Sequence, residues 1–391
     1  MSSRQLGMVV CAWAALCTSE AAAQFEDEQP QLFLHGAIRC GECHEKMVKE
    51  WKSSAHAHAA SDALYRTLAT QAGAAECERC HAPLLSTAGK AYPAAAEGVT
   101  CQVCHSLKVV VPSISGAKLE PQLQDSTMYG PLCNAKPHYF HKMGCSPLHE
   151  QSAFCGGCHL YYAKSNAQPQ GPNLPVYTEF EDWQNSPANK QGADCQSCHM
   201  PGTAGEVAKG SPRRKGVAHH GLWDVNQQMR KMGVSATIAQ VTGDAQSVTV
   251  YMHLKNDGAG HYVPAGDPLH KLVLSVESFD EARKPVERVE HRFGRTLADQ
   301  SGVEVPFYLA AKLKEDTRLA PGETREDVLK LRAPLNGSLR VVLSFLPASE
   351  EVTKAAGAAA APAFIIAESQ LLLKASRDGR RRKLPTNVKV N

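Results

Sequence analysis

The chain has 391 residues, of which 43% are hydrophobic and 21% are charged, and its formal net charge is +3. A chain of this length has room for about two or three domains, and its apolar fraction supports a packed core. The near-neutral charge balance argues against a general nucleic-acid binder and against a polyanionic tail.

The N-terminal segment has the pattern of a secretory signal peptide, which we place at residues 1–23. An arginine precedes a short apolar run at residues 6–17, and three alanines at 21–23 offer a small-residue cleavage site. Cys11 and Cys17 fall inside this segment, and the large residues before them disfavour a lipoprotein. We therefore expect Sec-dependent export to the periplasm or beyond, with no membrane span after cleavage.

Five copies of C-x-x-C-H follow, and this pattern is the attachment signature of c-type haem. Two thiols add to the two vinyl groups of one porphyrin, and the adjacent histidine turns onto the iron as proximal ligand. The predicted thioether residues, from the first motif to the fifth, are Cys40 and Cys43, Cys77 and Cys80, Cys101 and Cys104, Cys155 and Cys158, and Cys195 and Cys198. The predicted proximal iron ligands are His44, His81, His105, His159 and His199.

A single C-x-x-C pair has other interpretations, because it also occurs in redox pairs and as half of a zinc site. Neither alternative explains why a histidine directly follows the second cysteine in all five copies. Covalent haem attachment takes place outside the cytoplasm, in agreement with the signal peptide. The sequence therefore predicts five haems c, each with its iron.

Two more cysteines, Cys133 and Cys145, remain after signal cleavage. An even number of cysteines in an oxidising compartment favours a disulfide, worth about 3 kcal/mol in the chain-entropy model. The alternative is a pair of buried, unpaired thiols. We take the disulfide as the prediction.

All five motifs lie in residues 24–235, which we interpret as one haem-binding domain. The irregular intervals between motifs exclude a tandem repeat array. So many macrocycles leave little room for an ordinary core, so we expect the haems to form it, with few short helices. One helix is predicted after the first motif, from the shared face of His44, Met47, Val48, Trp51 and Ala55.

The pattern changes to a period of two at residues 236–376, where runs such as Val248, Val250, Met252 and Leu254 alternate with polar residues. This pattern predicts an antiparallel β-sandwich. Residues 377–391 read as a basic, frayed tail. The predicted fold class is thus multidomain: a mainly α-helical and irregular multihaem cytochrome domain followed by an antiparallel β-sandwich.

Each iron needs a sixth ligand or remains open, and twelve histidines lie outside the motifs, enough to complete five bis-histidine haems. His56 and His58 lie two residues apart, so on a helix they point to different sides. His261 follows small residues that allow the backbone to approach a flat haem closely. His253 lies on the polar side of a predicted strand and is better interpreted as solvated.

The haem-binding segment resembles the cytochrome c554-type multihaem family, related in haem packing to hydroxylamine oxidoreductase and cytochrome c nitrite reductase. The resemblance rests on the first motif with residues 51–57, and on residues 98–105, 129–131, 141, 146–149, 183, 194–201 and 220. The β part resembles the domain that often follows such haem regions, through residues 256–266. The resemblance implies His56, His141, His149, His220 and His261 as distal ligands, without assigning them to individual haems.

The first functional hypothesis is electron transfer between periplasmic or outer-membrane redox proteins, without nucleic acid; a homo-oligomer stays open. The alternative is an oxidoreductase that acts on a small nitrogen or sulfur oxyanion at one five-coordinate haem. Two departures from the related enzymes count against it. Pentahaem nitrite reductases carry a C-x-x-C-K motif, absent here, and hydroxylamine oxidoreductases carry more haems. We therefore predict no catalytic residue.

Overall fold

The computed structural model describes residues 31–222, 228–334, 336–374 and 387–390. The predicted signal peptide, with Cys11 and Cys17, lies outside the described residues. A helical and irregular region comes first and a β-rich region second, which confirms the predicted fold class. Nowhere in the described part of the chain is a helix long and apolar enough to cross a membrane.

The helices of residues 31–222 are short, each four to ten residues long. In chain order they are Ala37–Cys40 (α1), Glu45–Trp51 (α2), Ala55–His58 (α3), Ala63–Ala72 (α4), Ala74–His81 (α5), Leu85–Ala88 (α6), Cys101–Ser106 (α7), Ser152–Gly156 (α8), Glu179–Gln184 (α9), Pro187–Lys190 (α10) and Cys195–His199 (α11). Three 3₁₀ turns, Pro93–Ala96, Pro147–Glu150 and Phe307–Leu309, complete the helical elements up to residue 309.

The helix predicted after the first motif is shorter than its apolar face indicates. Met47 and Val48 are buried in α2, but α2 ends at Trp51, and Ser54 starts α3 by accepting a hydrogen bond from the Ala57 N–H at 3.3 Å. A serine that caps the next helix competes with continuation of the first one. The periodicity therefore spans two helices joined by a tight turn.

Four two-stranded sheets connect these helices. They pair Leu107–Val111 (β1) with Lys118–Pro121 (β2), Thr127–Gly130 (β3) with Lys142–Cys145 (β4), Tyr161–Ala163 (β5) with Leu174–Tyr177 (β6), and Gly202–Gly205 (β7) with Arg214–Ala218 (β8). The β3–β4 pair is parallel. At its end Cys133 and Cys145 are joined by a disulfide, with Cα atoms 4.5 Å apart.

The second region consists of two antiparallel four-stranded sheets with the orders β15-β10-β9-β18 and β12-β11-β16-β17, together with the pair β13–β14. The strands are Ser235–Gly243 (β9), Ser247–Lys255 (β10), Lys271–Phe279 (β11), Pro285–Phe293 (β12), Arg295–Ala298 (β13), Lys312–Asp316 (β14), Thr324–Arg332 (β15), Gly337–Leu346 (β16), Phe364–Leu373 (β17) and Val388–Val390 (β18). Two helices, Gln228–Gly233 (α12) and Glu350–Ala355 (α13), accompany them.

The sandwich has an ordinary hydrophobic core. Val248, Val250, Met252 and Leu254 are fully buried on one face of β10, as the alternating pattern predicts. The expected tail at 377–391 lies largely outside the described residues. Its residues Val388–Val390 are not frayed, because they pair with β9 and extend the first sheet.

Buried charges join the two regions. The Arg318 guanidinium of the sandwich donates to Asp182 Oδ2 of α9 at 3.1 Å and to Asp316 Oδ1 at 2.9 Å. It also lies 4.9 Å from the centre of the Tyr262 ring. Arg295 donates to Thr178 Oγ1 at 3.0 Å. The sandwich is therefore fixed to the helical region by hydrogen-bonded ion pairs.

Candidate haem-binding site

One cavity of about 2540 Å³ runs through the helical region and reaches the sandwich. A typical small-molecule pocket measures about 300–1,000 Å³, so this cavity has room for several large groups. All ten motif cysteines and all five motif histidines line it. A small apolar cluster around Leu84, Val103 and Leu123 lies beside the cavity and forms the conventional core of this region.

Each motif forms about one turn of helix, and this local structure explains its spacing. The His44 N–H donates to the Cys40 carbonyl at 2.9 Å, and the His159 N–H donates to the Cys155 carbonyl at 3.0 Å. In the fifth motif, Asp194 begins the turn by accepting from the Ser197 N–H at 2.6 Å. One turn thus projects two thiols and an imidazole into the cavity.

Backbone carbonyls orient the motif histidines. The Nδ1 atoms of His44, His81 and His105 lie 2.6, 2.7 and 2.6 Å from carbonyl oxygens of Val207, Ala59 and Tyr129, respectively. Histidines that bind metals usually donate one ring N–H in this way, and the donation fixes the tautomer and orients the ring. The Nε2 atoms are left as the nitrogens available to an iron.

Four motif histidines face a second imidazole across the cavity. The ring centres are 6.2 Å apart for His44 and His141, 6.4 Å for His159 and His56, 6.3 Å for His105 and His220, and 6.3 Å for His199 and His261. Two imidazoles on opposite sides of one metal ion have centres about 6.3 Å apart, given metal–nitrogen bonds of about 2 Å. The residues therefore fit bis-histidine iron, and the structure pairs histidines that the sequence left unassigned.

Residues far along the chain hold these second imidazoles in place. The His56 carbonyl accepts from the Val99 N–H at 3.1 Å, and a Cβ at Gly98 would lie 2.9 Å from the same oxygen. The buried Asn256 amide donates to the His261 carbonyl at 2.9 Å. His261 lines the cavity, so it extends from the sandwich toward the haem-binding motifs.

Four of these imidazoles are neutral at physiological pH. Burial, followed by the charges of neighbouring imidazoles, lowers the pKa of His56 and His199 to about 4. Burial, with the same neighbour effect, lowers the pKa of His105 and His220 to about 4. Only a neutral imidazole offers a lone pair to a metal, so these histidines are in the ligating form.

His81 of the second motif has a different neighbour. Its ring stacks on Tyr65 with centres 3.9 Å apart, and no imidazole pair of the described residues includes it. Tyr65 is a phenol whose pKa burial raises to about 12, so it is neutral. The second motif thus differs from the other four in lacking an opposing imidazole within the described ranges.

His149, the fifth distal candidate, lies in the cavity wall but across from no unpaired motif histidine. Its Nε2 lies 3.0 Å from the Cys104 carbonyl, and its ring centre is 5.6 Å from that of His105, which already faces His220. Its Nδ1 is buried without a hydrogen-bond partner in the described structure. Its role as an iron ligand stays a prediction.

His159 of the fourth motif has a carboxylate where the others have carbonyls. Glu179 Oε2 lies 3.7 Å from His159 Nδ1, an ion-pair distance and not a hydrogen bond. Burial raises the pKa of Glu179, but the adjacent imidazole and backbone N–H groups outweigh it and bring the pKa to about 2. No sequence signal marks Glu179, because the tertiary fold alone brings it to His159.

Comparison with known proteins agrees with this geometry. Residues 39–106 match the family model for cytochrome c554 and c-prime. The crystal structure of a penta-heme cytochrome c552 from Thermochromatium tepidum superimposes with a TM-score of 0.65 and 24% identity, covering 87% of this chain and 99% of that one. The chain has the fold of a multihaem c-type cytochrome. Proteins of this class bind haem c, with its iron, covalently.

Other likenesses of this multihaem cytochrome fold are partial. A β-glucuronidase of Bacteroides uniformis matches with 12% identity and a TM-score of 0.18, over 36% of this chain and 13% of that one. The ApaA protein of Bordetella pertussis matches with 18% identity and a TM-score of 0.18, over 35% and 89%. These TM-scores are too low to carry an argument. No curated protein sequence matches the chain.

Proposed function

We propose that this chain is an exported electron-transfer protein that binds five haems c. The observation that carries the proposal is the set of four imidazole pairs, 6.2–6.4 Å apart, in a cavity lined by all five motifs. Bound haem supplies one-electron chemistry at its iron. The protein attaches the haems, closes four irons with imidazoles and fixes their spacing. The disulfide and the predicted signal peptide support an oxidising, extracytoplasmic location.

Contacts between motif cysteines indicate which attachment sites are neighbours. The thiols of Cys40 and Cys101 lie next to each other, which brings the first and third motifs together. Cys80 contacts Cys158 in the same way, and Cys155 contacts Cys195. The fourth motif therefore adjoins both the second and the fifth. Cys104 of the third motif is close enough to Cys155 and Cys158 to act on both electrostatically, which links the third motif to the fourth. We propose a branched relay with the fourth haem at its junction and with arms that end at the first, second and fifth haems.

Two of the three ends of this relay are more accessible than the rest of it. Cys43 of the first motif and Cys198 of the fifth are exposed, whereas the other eight motif cysteines are half-buried. Electron transfer falls steeply with distance, so partners are served best by exposed haem edges. We propose that electrons enter and leave at the first and fifth motifs.

The surface beside the first motif favours an acidic redox protein as partner. Residues 133–145 and 205–215 together carry six basic residues and one acidic residue, Glu206. The Arg214 guanidinium donates to Asn134 Oδ1 at 3.2 Å and the Lys209 N–H donates to the Cys43 carbonyl at 2.8 Å, so both segments meet at this motif. Complementary charge steers redox partners to the correct edge.

The basic residues divide into two sets. Lys136, Lys209 and Arg214 line the cavity, where haem propionates would neutralise them. The other three basic residues, Lys142, Arg213 and Lys215, are exposed and do not line it. We assign the second set to partner docking.

Haem counting tests the proposed function directly. Intact mass and pyridine haemochrome analysis should give five haems per chain, and a reductive titration should consume five electrons reversibly. A His261→Ala variant should keep all haems but convert one ferric haem from low spin to high spin in the electron paramagnetic resonance (EPR) spectrum. His253→Ala, an exposed-strand control, should leave the spectrum unchanged. Fewer than five haems, or no reversible reduction, would contradict the proposal.

Charge reversal tests the docking surface. A Lys142→Glu, Arg213→Glu, Lys215→Glu variant should be oxidised by ferricyanide about tenfold more slowly at low ionic strength, because the anion is no longer attracted. Oxidation by a cationic cobalt complex should not slow. The control replaces three exposed sandwich lysines, Lys284, Lys330 and Lys389, with glutamate. Equal ferricyanide rates in both variants would remove the docking assignment and leave the electron-transfer proposal in place.

One observation favours a second candidate function, redox chemistry at an open iron of the second motif. Tyr65, and not a second imidazole, is the ring neighbour of His81. A high-spin ferric EPR signal from one haem, perturbed by nitrite or hydroxylamine, would support this candidate. Five low-spin haems would exclude it.

A further inference from the structure

We propose that Glu179 lowers the reduction potential of the fourth haem relative to the other bis-histidine haems, by placing a negative charge beside its proximal ligand His159. This inference rests on the proposed electron-transfer function. It assigns Glu179 the role of a positioning residue, which acts on the haem through His159 and touches no substrate.

The Glu179 carboxylate is buried and lies between the His159 imidazole and the Gly266 backbone. Its side chain is only 12% exposed, and Oε2, 3.7 Å from His159 Nδ1, has no hydrogen-bond partner in the described structure. Its other oxygen, Oε1, accepts from the Gly266 N–H at 2.5 Å. A buried carboxylate oxygen without a partner is costly, so an oxygen aimed at one imidazole indicates a functional demand.

The comparison with the other motifs isolates the effect. His44, His81 and His105 face neutral carbonyl oxygens at Nδ1, and the His199 imidazole donates to a backbone carbonyl of the same kind at Leu222. A carboxylate carries a full negative charge where a carbonyl carries only a dipole. Negative charge near the iron stabilises the ferric state over the ferrous state, and second-shell partners raise ligand basicity. Among the five motifs, only the fourth has this arrangement.

The nearby cations are engaged elsewhere. Glu179 acts electrostatically on the buried Arg318, but the Arg318 guanidinium is bound to Asp182 and Asp316 at 3.1 and 2.9 Å. The Glu179 charge therefore remains directed at His159. Gly266 belongs to the sandwich loop that also carries His261, so the β region fixes the orientation of the carboxylate.

The position of the fourth motif gives this effect a consequence for electron flow. Its cysteines contact those of the second and fifth motifs. A junction with a lowered potential holds an electron less often than its neighbours do. Electrons would then reside on the outer haems and cross the junction as a rate-controlling step.

The test is a potentiometric titration of full-length protein with all its haems attached. In Glu179→Gln, one bis-histidine component should titrate at higher potential, with at least a tenfold change in its reduced-to-oxidised ratio at fixed potential, about 59 mV for one electron. The EPR g values of one low-spin ferric haem should widen with it. Glu179→Asp keeps the negative charge but places it farther from His159. The potential of this haem should therefore lie between those of the unmodified protein and Glu179→Gln.

The matched control is Glu181→Gln, two residues along the same helix, where the carboxylate accepts from the Tyr162 hydroxyl at 2.5 Å and not from an iron ligand. This variant should leave all potentials unchanged. Unshifted potentials in a five-haem Glu179→Gln protein would overturn the inference. If Glu179→Gln fails to fold, the unmodified protein provides the test. If EPR signals of its five ferric haems showed no haem with a distinct proximal ligand, the inference would be overturned. Failure of the electron-transfer proposal is distinct, because it appears as missing haems or irreversible reduction in the unmodified protein.

Discussion

The helical region and the sandwich differ in what fills their interiors. The sandwich buries Leu254, Leu274 and Leu343 completely between its two sheets, as an ordinary domain does. The helical region instead surrounds a cavity of about 2540 Å³ with cysteine and histidine side chains. Its main apolar cluster is the small one around Leu123. The sandwich is thus stabilised by contacts among its own side chains, whereas the helical region encloses a cavity that cofactors would fill.

The largest expected effect follows from removing the haems. Protein produced without haem attachment should lose the fold of residues 31–222, because the cavity walls have nothing to pack against. The sandwich should persist, since its core is complete. Limited proteolysis with mass spectrometry checks this, with the haem-loaded protein as control. Simultaneous degradation of both regions would show that the sandwich depends on the haems as well.

A smaller effect on stability is expected at the interface between the helical region and the sandwich. Arg318→Ala leaves the Asp182 carboxylate, whose side chain is 10% exposed, without its guanidinium and leaves Asp316 with Arg295 alone, which should reduce the free energy of unfolding by about 3–5 kcal/mol. The matched control is Arg340→Ala, which breaks an ion pair with Glu368 whose side chains are 35% and 32% exposed and should cost about 0–1 kcal/mol. Denaturant titration measures both. Equal losses of stability in the two variants would mean that the Arg318 ion pairs contribute no more than an exposed ion pair does.

The sandwich core offers a comparable but local perturbation. Leu343→Ala removes a fully buried side chain and should reduce the free energy of unfolding by about 2–5 kcal/mol. Unfolding followed by far-UV circular dichroism measures this loss. The control is Leu372→Ala on the neighbouring strand, where the leucine is 69% exposed. This replacement should change the free energy of unfolding by about 0.5 kcal/mol or less. A small loss at Leu343 would indicate that the sandwich, like its neighbour, derives stability from contacts outside its own core.

The smallest effect concerns acid. Burial raises the pKa of Asp316, but Arg318 and Arg295 outweigh it and hold the pKa below its ordinary value. A lowered folded-state pKa contributes stability above the unfolded pKa, and that contribution disappears as pH falls through the folded value. Asp316→Asn should therefore flatten the acid side of the stability–pH curve. Asp257→Asn, at an exposed aspartate paired with Lys255, serves as control and should leave the curve unchanged.

The sequence predicted what depends on local spacing. The motifs and the alternation in β10 could be read from residue types alone, whereas the role expected of the 256–266 loop rested on its small residues together with a family resemblance. The pairing of His105 with His220, or of His159 with His56, could not, because it depends on where distant segments meet. His149 is a further case. The resemblance implies that it is a distal ligand, the structure places its Nε2 3.0 Å from the Cys104 carbonyl, and its role stays a prediction.

Glu179 was missed for the same reason. It precedes Trp183 in a segment with no metal-binding signature, and only the folding of α9 against the fourth motif brings its carboxylate to His159. The Ser54 cap was likewise hidden, since an apolar periodicity does not reveal that a side-chain hydroxyl ends one helix and begins another. Periodicity identifies faces, whereas tertiary contacts decide where elements stop and which groups meet.

The distance along the chain between His199 and His261 bears on how the molecule is made. In a chain exported N-terminus first, all five motifs emerge before His261 does. In the proposed haem-loaded protein, the fifth haem is held by its thioether bonds and His199 until the sandwich has formed and His261 can reach the iron. Completion of that coordination sphere is thus a folding event of the β region. A maturation defect in the sandwich would appear as a spin-state defect in a protein that retains all of its haem.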